Sequence, residues 1–313
     1  MEIITYDEAQ LDNSAVALGK FEGVHKGHML LIDKIVELAH QSKKAISVEN
    51  KNEKGNISAE DNIKSVVFTI NMPDERVINL EYERYEIFEQ NGVDYVCECS
   101  FDERISRLSP YKFIKDILVE KLDVSYVVVG ADFRFGYKRS GNVDTLKEYA
   151  DIYGYKVIVF DKLKINNYIV SSSAIKAFLD EGAVDRVREY MGRAYSVSGE
   201  VVYGKQLGRT IGFPTVNLIP DKRKKLPLSG AYETRVYIDG DKNVYRGITN
   251  VGNNPTVDGD FDNVETHIIN FSGDLYGRDI RVEFIRFIRH EIKFKDIDEL
   301  KAQLVEDKKS IKK

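Results

Sequence analysis

The chain has 313 residues, 42% hydrophobic and 31% charged, a balance that suits a soluble globular protein of two domains or one large one. Its formal net charge of -5 gives no electrostatic reason to expect nucleic acid as the main partner, and no apolar run approaches the length of a membrane span. The N-terminus, Met1-Glu2-Ile3-Ile4-Thr5-Tyr6, lacks the basic and apolar regions of a secretory signal, so the expected setting is the cytoplasm.

In chain order, the apolar run Ala15 to Leu18 reads as a short buried strand. It feeds Gly19-Lys20-Phe21-Glu22-Gly23-Val24-His25-Lys26-Gly27-His28, where glycines at 19, 23 and 27 allow sharp turns or close approach of backbone to a ligand. From Met29, apolar residues recur at 31, 35, 38 and at 32, 36, 39, a helical stripe. His25 and His28 are therefore expected between a strand and a helix N-terminus, where free N–H groups and the helix dipole favour phosphate. A His-x-x-His pair also suits zinc, but no third ligand of the right kind is near, and two surface histidines remain the plain alternative.

Ser47 to Asn56 is polar and aperiodic and reads as a surface loop. Strands are expected at Ser65 to Ile70 and Val93 to Cys99, with a helix from Tyr82 to Asn91 ended by Gly92 between them. Alternation puts Cys97 and Cys99 on one strand face as two reduced structural thiols. Ser109-Pro110 opens a helix, Ser125 to Gly130 is a continuous apolar strand, Leu146 to Tyr153 is helical and Lys156 to Phe160 is a strand. Ser171-Ser172-Ser173 caps a helix from Ala174 to Glu181, and Asp185 to Met191 forms another. This alternation predicts a doubly wound α/β domain over residues 1–185, with ligands at the carboxyl ends of its strands, where His25, His28 and Asp132 lie.

Beyond residue 186 the period changes to two. Tyr195 to Val202, Tyr232 to Ile238, Val244 to Ile248, Thr266 to Phe271 and Ile280 to Ile288 read as strands, with a hairpin at Asp239-Gly240. Strands at this spacing predict a small closed antiparallel barrel over 186–313, followed by an amphipathic helix from Asp298 to Lys309. Within the barrel, Gly204 to Asn217 interleaves glycines with basic residues, and Thr215 and Asn217 offer oxygens of the kind Mg²⁺ takes; a polar barrel loop is the bland reading. Glu265 is a lone carboxylate at a strand start, a position more often solvated than catalytic.

The stretch ALGKFEGVHKGH resembles the HxGH signature of the adenylyl- and cytidylyltransferases, in the form found in bacterial bifunctional riboflavin kinase/FAD synthetases. GRAYSVSGEVVYGKQLGRTIGFPTVN, NVGNNPT, ETHIINFSGDLYG and IRHEIKF are similar, in order, to the riboflavin kinase module of the same family. The resemblance implies a Rossmann-like nucleotidyltransferase domain followed by a six-stranded antiparallel barrel with a C-terminal helix. It implies ATP, riboflavin and FMN as substrates with Mg²⁺, and no nucleic acid or membrane as partner; it does not set the oligomeric state. Carried over by position, Glu265 matches the kinase base, Thr215 and Asn217 hold Mg²⁺ and ATP phosphates, Gly204 and Arg209 belong to a flap over the nucleotide, and Arg289 lies in a segment lining the flavin. His25 and His28 match the phosphate-binding histidines, with Gly19, Phe21, Gly23 and Gly27 in the same nucleotide loop. Asp132 matches a nucleotide-site position, and Ser172, Ser173 and Lys176 match the SSTxIR motif near the ATP phosphates.

The chain departs from the family at three places, all in the N-terminal half: Thr69-Ile70-Asn71-Met72-Pro73-Asp74, without the histidine, stands where a PHP-type motif is usual, Ser173 where the family has threonine, and Lys176 where it has arginine. A bifunctional enzyme is the expectation. A riboflavin kinase with an altered N-terminal half, or a non-catalytic flavin-binding regulator, are the alternatives.

Overall fold

A computed structural model describes residues 1–49, 62–71, 76–204, 207–256 and 259–311. By its contacts the chain divides into two units, Met1–Glu75 with Asn79–Val170, and Arg76–Ile78 with Ser171–Lys313.

The first unit is built on six parallel strands: β1 (Glu2–Thr5), β2 (Ser14–Gly19), β3 (Lys64–Asn71), β4 (Tyr95–Ser100), β5 (Val124–Gly130) and β6 (Lys156–Phe160), in the spatial order β1-β4-β3-β2-β5-β6. Helices α1 (Lys26–Glu49), α2 (Glu81–Gln90) and α3 (Val143–Tyr153) join them. Side chains alternate across a strand, so each buried strand feeds two cores. Ala15, Ala17, Val67 and Val96 pack with Ile32 and Ile35 of α1. Val16, Leu18, Val66, Phe68 and both cysteines pack on the opposite face with Phe113, Ile117 and Leu146. Both thiols are buried and unpaired, and burial pushes each up to about 12.

From β2 the chain moves one way to β3 and β4, while β5 and β6 lie on β2's other side. The β2/β5 boundary is thus the switch point, and the crevice beyond its carboxyl ends is where such sheets bind ligands. Several elements differ from the sequence expectation. Helix α1 begins at Lys26, three residues before the apolar stripe, and continues to Glu49. Residues 50–56 of the expected loop, and Met72-Pro73-Asp74, lie outside the described residues. The helix opened by Ser109 runs Pro110–Lys112 and then widens to a π-helix over Phe113–Val119. A small hairpin, β7 (Lys164–Ile165) and β8 (Tyr168–Ile169), has no counterpart in the sequence expectation.

The second unit begins with α4 (Ser172–Asp180) and α5 (Val184–Met191). Only Ser171 is the cap, accepting from Ala174 N at 3.2 Å; Ser172 and Ser173 already lie in the helix. The period changes near 186, but contacts group both helices with the barrel. Six antiparallel strands then close the barrel: β9 (Tyr195–Val202), β10 (Val216–Leu218), β11 (Gly230–Ile238), β12 (Val244–Thr256), β13 (Gly259–Ile268) and β14 (Asp279–His290), in the order β10-β13-β12-β11-β14-β9. Helix α6 (Ile297–Ser310) ends the unit. The strand expected at Thr266 to Phe271 in fact starts at Gly259 and stops at Ile268, because Asn270 takes the left-handed conformation (φ 58°) and turns the chain.

The inward face is apolar except for a ladder of hydroxyls, Thr234 to Thr249 at 2.8 Å and Thr249 to Thr266 at 2.9 Å, in which each buried group finds a partner. Arg76–Ile78 also belongs to this unit. Val77 bridges Lys224 in parallel, and the buried Lys224 Nζ donates to Ile78 O at 2.9 Å while lying over the Tyr195 ring.

Candidate functional site

The outward face of the barrel gathers polar residues by register. Asn217 on β10 is opposite Glu265 on β13, which is opposite Asn250 on β12. Thr215, two residues before Asn217, shares that face, and its hydroxyl donates to Glu265 Oε1 at 2.6 Å. Asn263 Nδ2 donates to Asn217 Oδ1 at 3.2 Å. Gly204 is required here by close approach, since a Cβ on it would run into the Asn217 carboxamide. The turn that follows is tied by Phe213 N donating to Gly208 O at 2.8 Å.

Two cavities flank this row. One of about 460 Å³, within the size range of small-ligand sites, is walled by Phe213, Ile248, Phe294 and the α6 residues Leu300 and Leu304, and includes Glu265 and Asn217. The other, of about 310 Å³, lies between Arg209 and the loop carrying Phe271 and Tyr276. Thr215 lines both. His267, two residues past Glu265, is buried, and its Nδ1 is 2.9 Å from Pro214 O. A carbonyl only accepts, so Nδ1 carries the proton. Burial lowers the His267 pKa, which favours the neutral ring. Arg289 lines the larger cavity, but its guanidinium grips Asp307 of α6 with two bonds to Oδ2 and Oδ1, Nη2 at 2.8 Å and Nε at 3.1 Å. Asp307 is 2% exposed and also accepts from Gln303 at 2.8 Å. The pair clamps α6 against the cavity.

In the first unit, His25 directly precedes α1 and caps it. His28 N, in the helix's first turn, donates to His25 Nδ1 at 3.2 Å and to His25 O at 2.8 Å. In the neutral ring this leaves Nε2 of His25 as the protonated nitrogen, able to donate to an anion. The His25 and His28 rings stack with centroids 3.6 Å apart. Phe21, with φ 49°, lies 5.2 Å from His28 ring to ring, and a Cβ on Gly19 or Gly27 would press on Phe21 or His25 respectively. Gly23 (φ 77°) supplies the left-handed turn between them. Asp132, just past β5, is exposed and pairs with Lys162 at 2.8 Å. Among the described residues no group of three or more His, Cys, Asp or Glu is placed to hold a metal.

A riboflavin kinase family model matches residues 191–313, and an FAD synthetase family model matches residues 7–174. The bifunctional riboflavin kinase/FMN adenylyltransferase of Escherichia coli K12 is 33% identical over 300 residues, spanning 96% of this chain and 92% of that one. The chain belongs to this bifunctional family. The Listeria monocytogenes member is 30% identical, spanning 97% of this chain and 93% of its own. A crystal structure of a Streptococcus pneumoniae protein described as a macrolide-efflux protein matches with a TM-score of 0.81 at 26% identity, covering 98% of this chain and 97% of that one. Among the described residues no helix is long and apolar enough to cross a membrane.

The family frame leaves three expected residues in a different light. Ser172 and Ser173 fall inside the FAD synthetase match and Lys176 just beyond it, while contacts place all three in the second unit. Three residues that the sequence did not single out emerge from the geometry: His267, Asp307 and Arg84 of α2. Asp307 had a signal, since it continues the Leu300, Leu304 stripe of α6 at helical spacing, where a carboxylate is out of place without a cation.

Proposed function

We propose that the barrel phosphorylates riboflavin to FMN with ATP and that the N-terminal unit adenylylates FMN to FAD. The observation that carries the kinase half is the 2.6 Å bond between Thr215 and Glu265 where the two cavities meet. A ribityl hydroxyl is a weak nucleophile at neutral pH. Thr215 holds Oε1 of Glu265, leaving Oε2 to accept the hydroxyl proton as the oxygen attacks the γ-phosphorus. The larger, apolar-walled cavity suits the flavin, and the smaller one beside Arg209 suits the nucleotide. Thr215 and Asn217 present hard oxygen donors, so they fit Mg²⁺, which would supply charge neutralisation on the phosphates.

The second reaction needs no base, because the nucleophile is already an anionic phosphate. Its demand is for stabilisation of charge on the α-phosphate and the departing pyrophosphate. The N–H groups of α1 and the His25 and His28 rings are the groups of this unit suited to that. The proposed boundary between the activities, near residue 185, falls in the interval between the two family matches. The free, buried cysteines fit a cytoplasmic setting.

The test is a time course with riboflavin and Mg-ATP, separating the flavins. FMN should appear first and FAD follow, since FMN is the substrate of the second step. Absence of FMN sinks the kinase assignment, and FMN without any FAD sinks the adenylyltransferase one.

A further inference from the structure

Phe21 holds a bulky side chain in the left-handed region (φ 49°), a conformation that costs about 1–2 kcal/mol and persists only where neighbours impose it. Those neighbours come from α2. Arg84 and Phe88, one helical turn apart, are 5% and 0% exposed. Arg84 Nη1 donates to the carbonyl of Lys20, the peptide leading into Phe21, at 3.1 Å. Phe88 sets its ring edge against the Phe21 ring at 5.9 Å. Phe21 in turn packs on His28, which stacks on His25.

The guanidinium is itself fixed. Nη1 also donates to Thr69 Oγ1 at 3.1 Å, and Nη2 donates to Asn71 Oδ1 at 2.7 Å. Asn71 passes a bond to Glu98 Oε1 at 2.7 Å, and the Tyr85 hydroxyl donates to the same oxygen. Thr69 Oγ1 is a second donor to Lys20 O, at 3.1 Å. A buried cation is thus spread through polar groups at the carboxyl ends of β3 and β4 and spent on one backbone carbonyl of the His loop.

We infer that Arg84 is a positioning residue for the His25–His28 pair, acting through the Lys20–Phe21 peptide and supported by Phe88. Without its donors, Asn71 Oδ1 loses its guanidinium bond and Phe21 is released toward ordinary backbone geometry. Its ring then leaves His28, and the imidazoles lose the placement that phosphate stabilisation needs. For its consequence on activity the inference rests on the adenylyltransferase reading above; for the geometry it does not.

The experiment uses the full-length protein with Arg84→Met, Arg84→Lys and Phe88→Leu. The first readout is the imidazole ring-proton NMR signals, assigned to His25 and His28 through their asparagine variants. Loss of the Phe21 ring current should move the His28 signals in Arg84→Met, less in Arg84→Lys, while those of His267 and His290 in the other unit stay in place. The second readout is FMN-to-FAD conversion, expected to fall about 100-fold in kcat with KM little changed, as for ångström-scale misplacement, while riboflavin phosphorylation is retained. A folded Arg84→Met with unmoved His28 signals overturns the inference, whatever its FAD rate. So does moved His28 geometry with FAD formation at the wild-type rate. A wild type that makes no FAD overturns the adenylyltransferase reading instead, and leaves the NMR comparison to decide the role of Arg84. Should Arg84→Met not fold, Phe88→Leu carries the same two readouts.

Discussion

The barrel site and the His loop are assembled over different distances in the chain. Thr215 and Glu265 are 50 residues apart and meet only because β10 and β13 pair in one register. His25 and His28 are three apart and meet because a helix starts between them. The chemistry explains the contrast. Deprotonating a hydroxyl needs a carboxylate held at hydrogen-bond distance, which cross-strand register provides. Holding a phosphate needs converging N–H groups, which one helix start provides. A site built from register stands or falls with the barrel, whereas a site built from a loop depends on whatever pins that loop.

Glu265→Gln should break the barrel side most severely. Removing the proton acceptor should lower riboflavin phosphorylation by about 10²–10⁴-fold and leave FMN-to-FAD conversion intact. Phosphorylation within a few-fold of wild type would remove Glu265 from the mechanism. His28→Ala is the matching cut on the other side, with FAD formation down by about 10²–10³-fold and FMN accumulating. Normal FAD output from that variant would mean the phosphate is held elsewhere.

Fragments sharpen the comparison further. A fragment of residues 171–313 keeps α4, whose Leu179 O accepts from Leu228 N at 2.8 Å, but loses the Ile78 carbonyl that holds the buried Lys224. The lost partner should cost about 1–3 kcal/mol of stability. A fragment of residues 186–313 lacks α4 as well and should denature at lower urea still. Equal midpoints for the two fragments would show that α4 contributes nothing to the barrel.

The smallest effect concerns pH. The folded-state pKa of His267 is depressed, so the unfolded chain binds that proton more readily. The stability due to the neutral ring is therefore full above about pH 6.5 and is lost as pH falls from there through the folded value. Asparagine can donate to Pro214 O without titrating. The stability of wild type relative to His267→Asn should thus decline below about pH 6.5. A gap that does not change with pH would show that His267 does not titrate differently on folding.

Much of this was legible in the sequence where one periodicity ruled. The run Ala15 to Leu18 marks a short buried strand, and the alternation from Tyr195 to Val202 matches β9 residue for residue. Legibility failed where short elements or buried charges break the pattern. Strand β1 has only four residues, mostly exposed. Helix α2 buries Glu83 and Arg84 beside Phe88, so its hidden face does not look apolar, and no periodicity marks Arg84 as buried. The apolar stripe begins later than α1 itself because Lys26, Gly27 and His28 carry none of it; a capping imidazole marks the boundary instead. For Arg289 the resemblance implies a flavin-lining segment but says nothing of its partner, because Asp307 comes from a helix that the sequence does not tie to β14.

The three residues Arg76–Ile78 also bear on how the protein is made. On a ribosome, Val77 emerges about 150 residues before Lys224, its bridging partner. At roughly 5–20 residues per second, the segment waits about 7–30 s for the strand partner it finally joins. Strands β4 through β6, which end at Phe160, are all synthesised within that interval. Lys224 gains its acceptor, Ile78 O, only when a piece of chain synthesised long before is captured by the second unit.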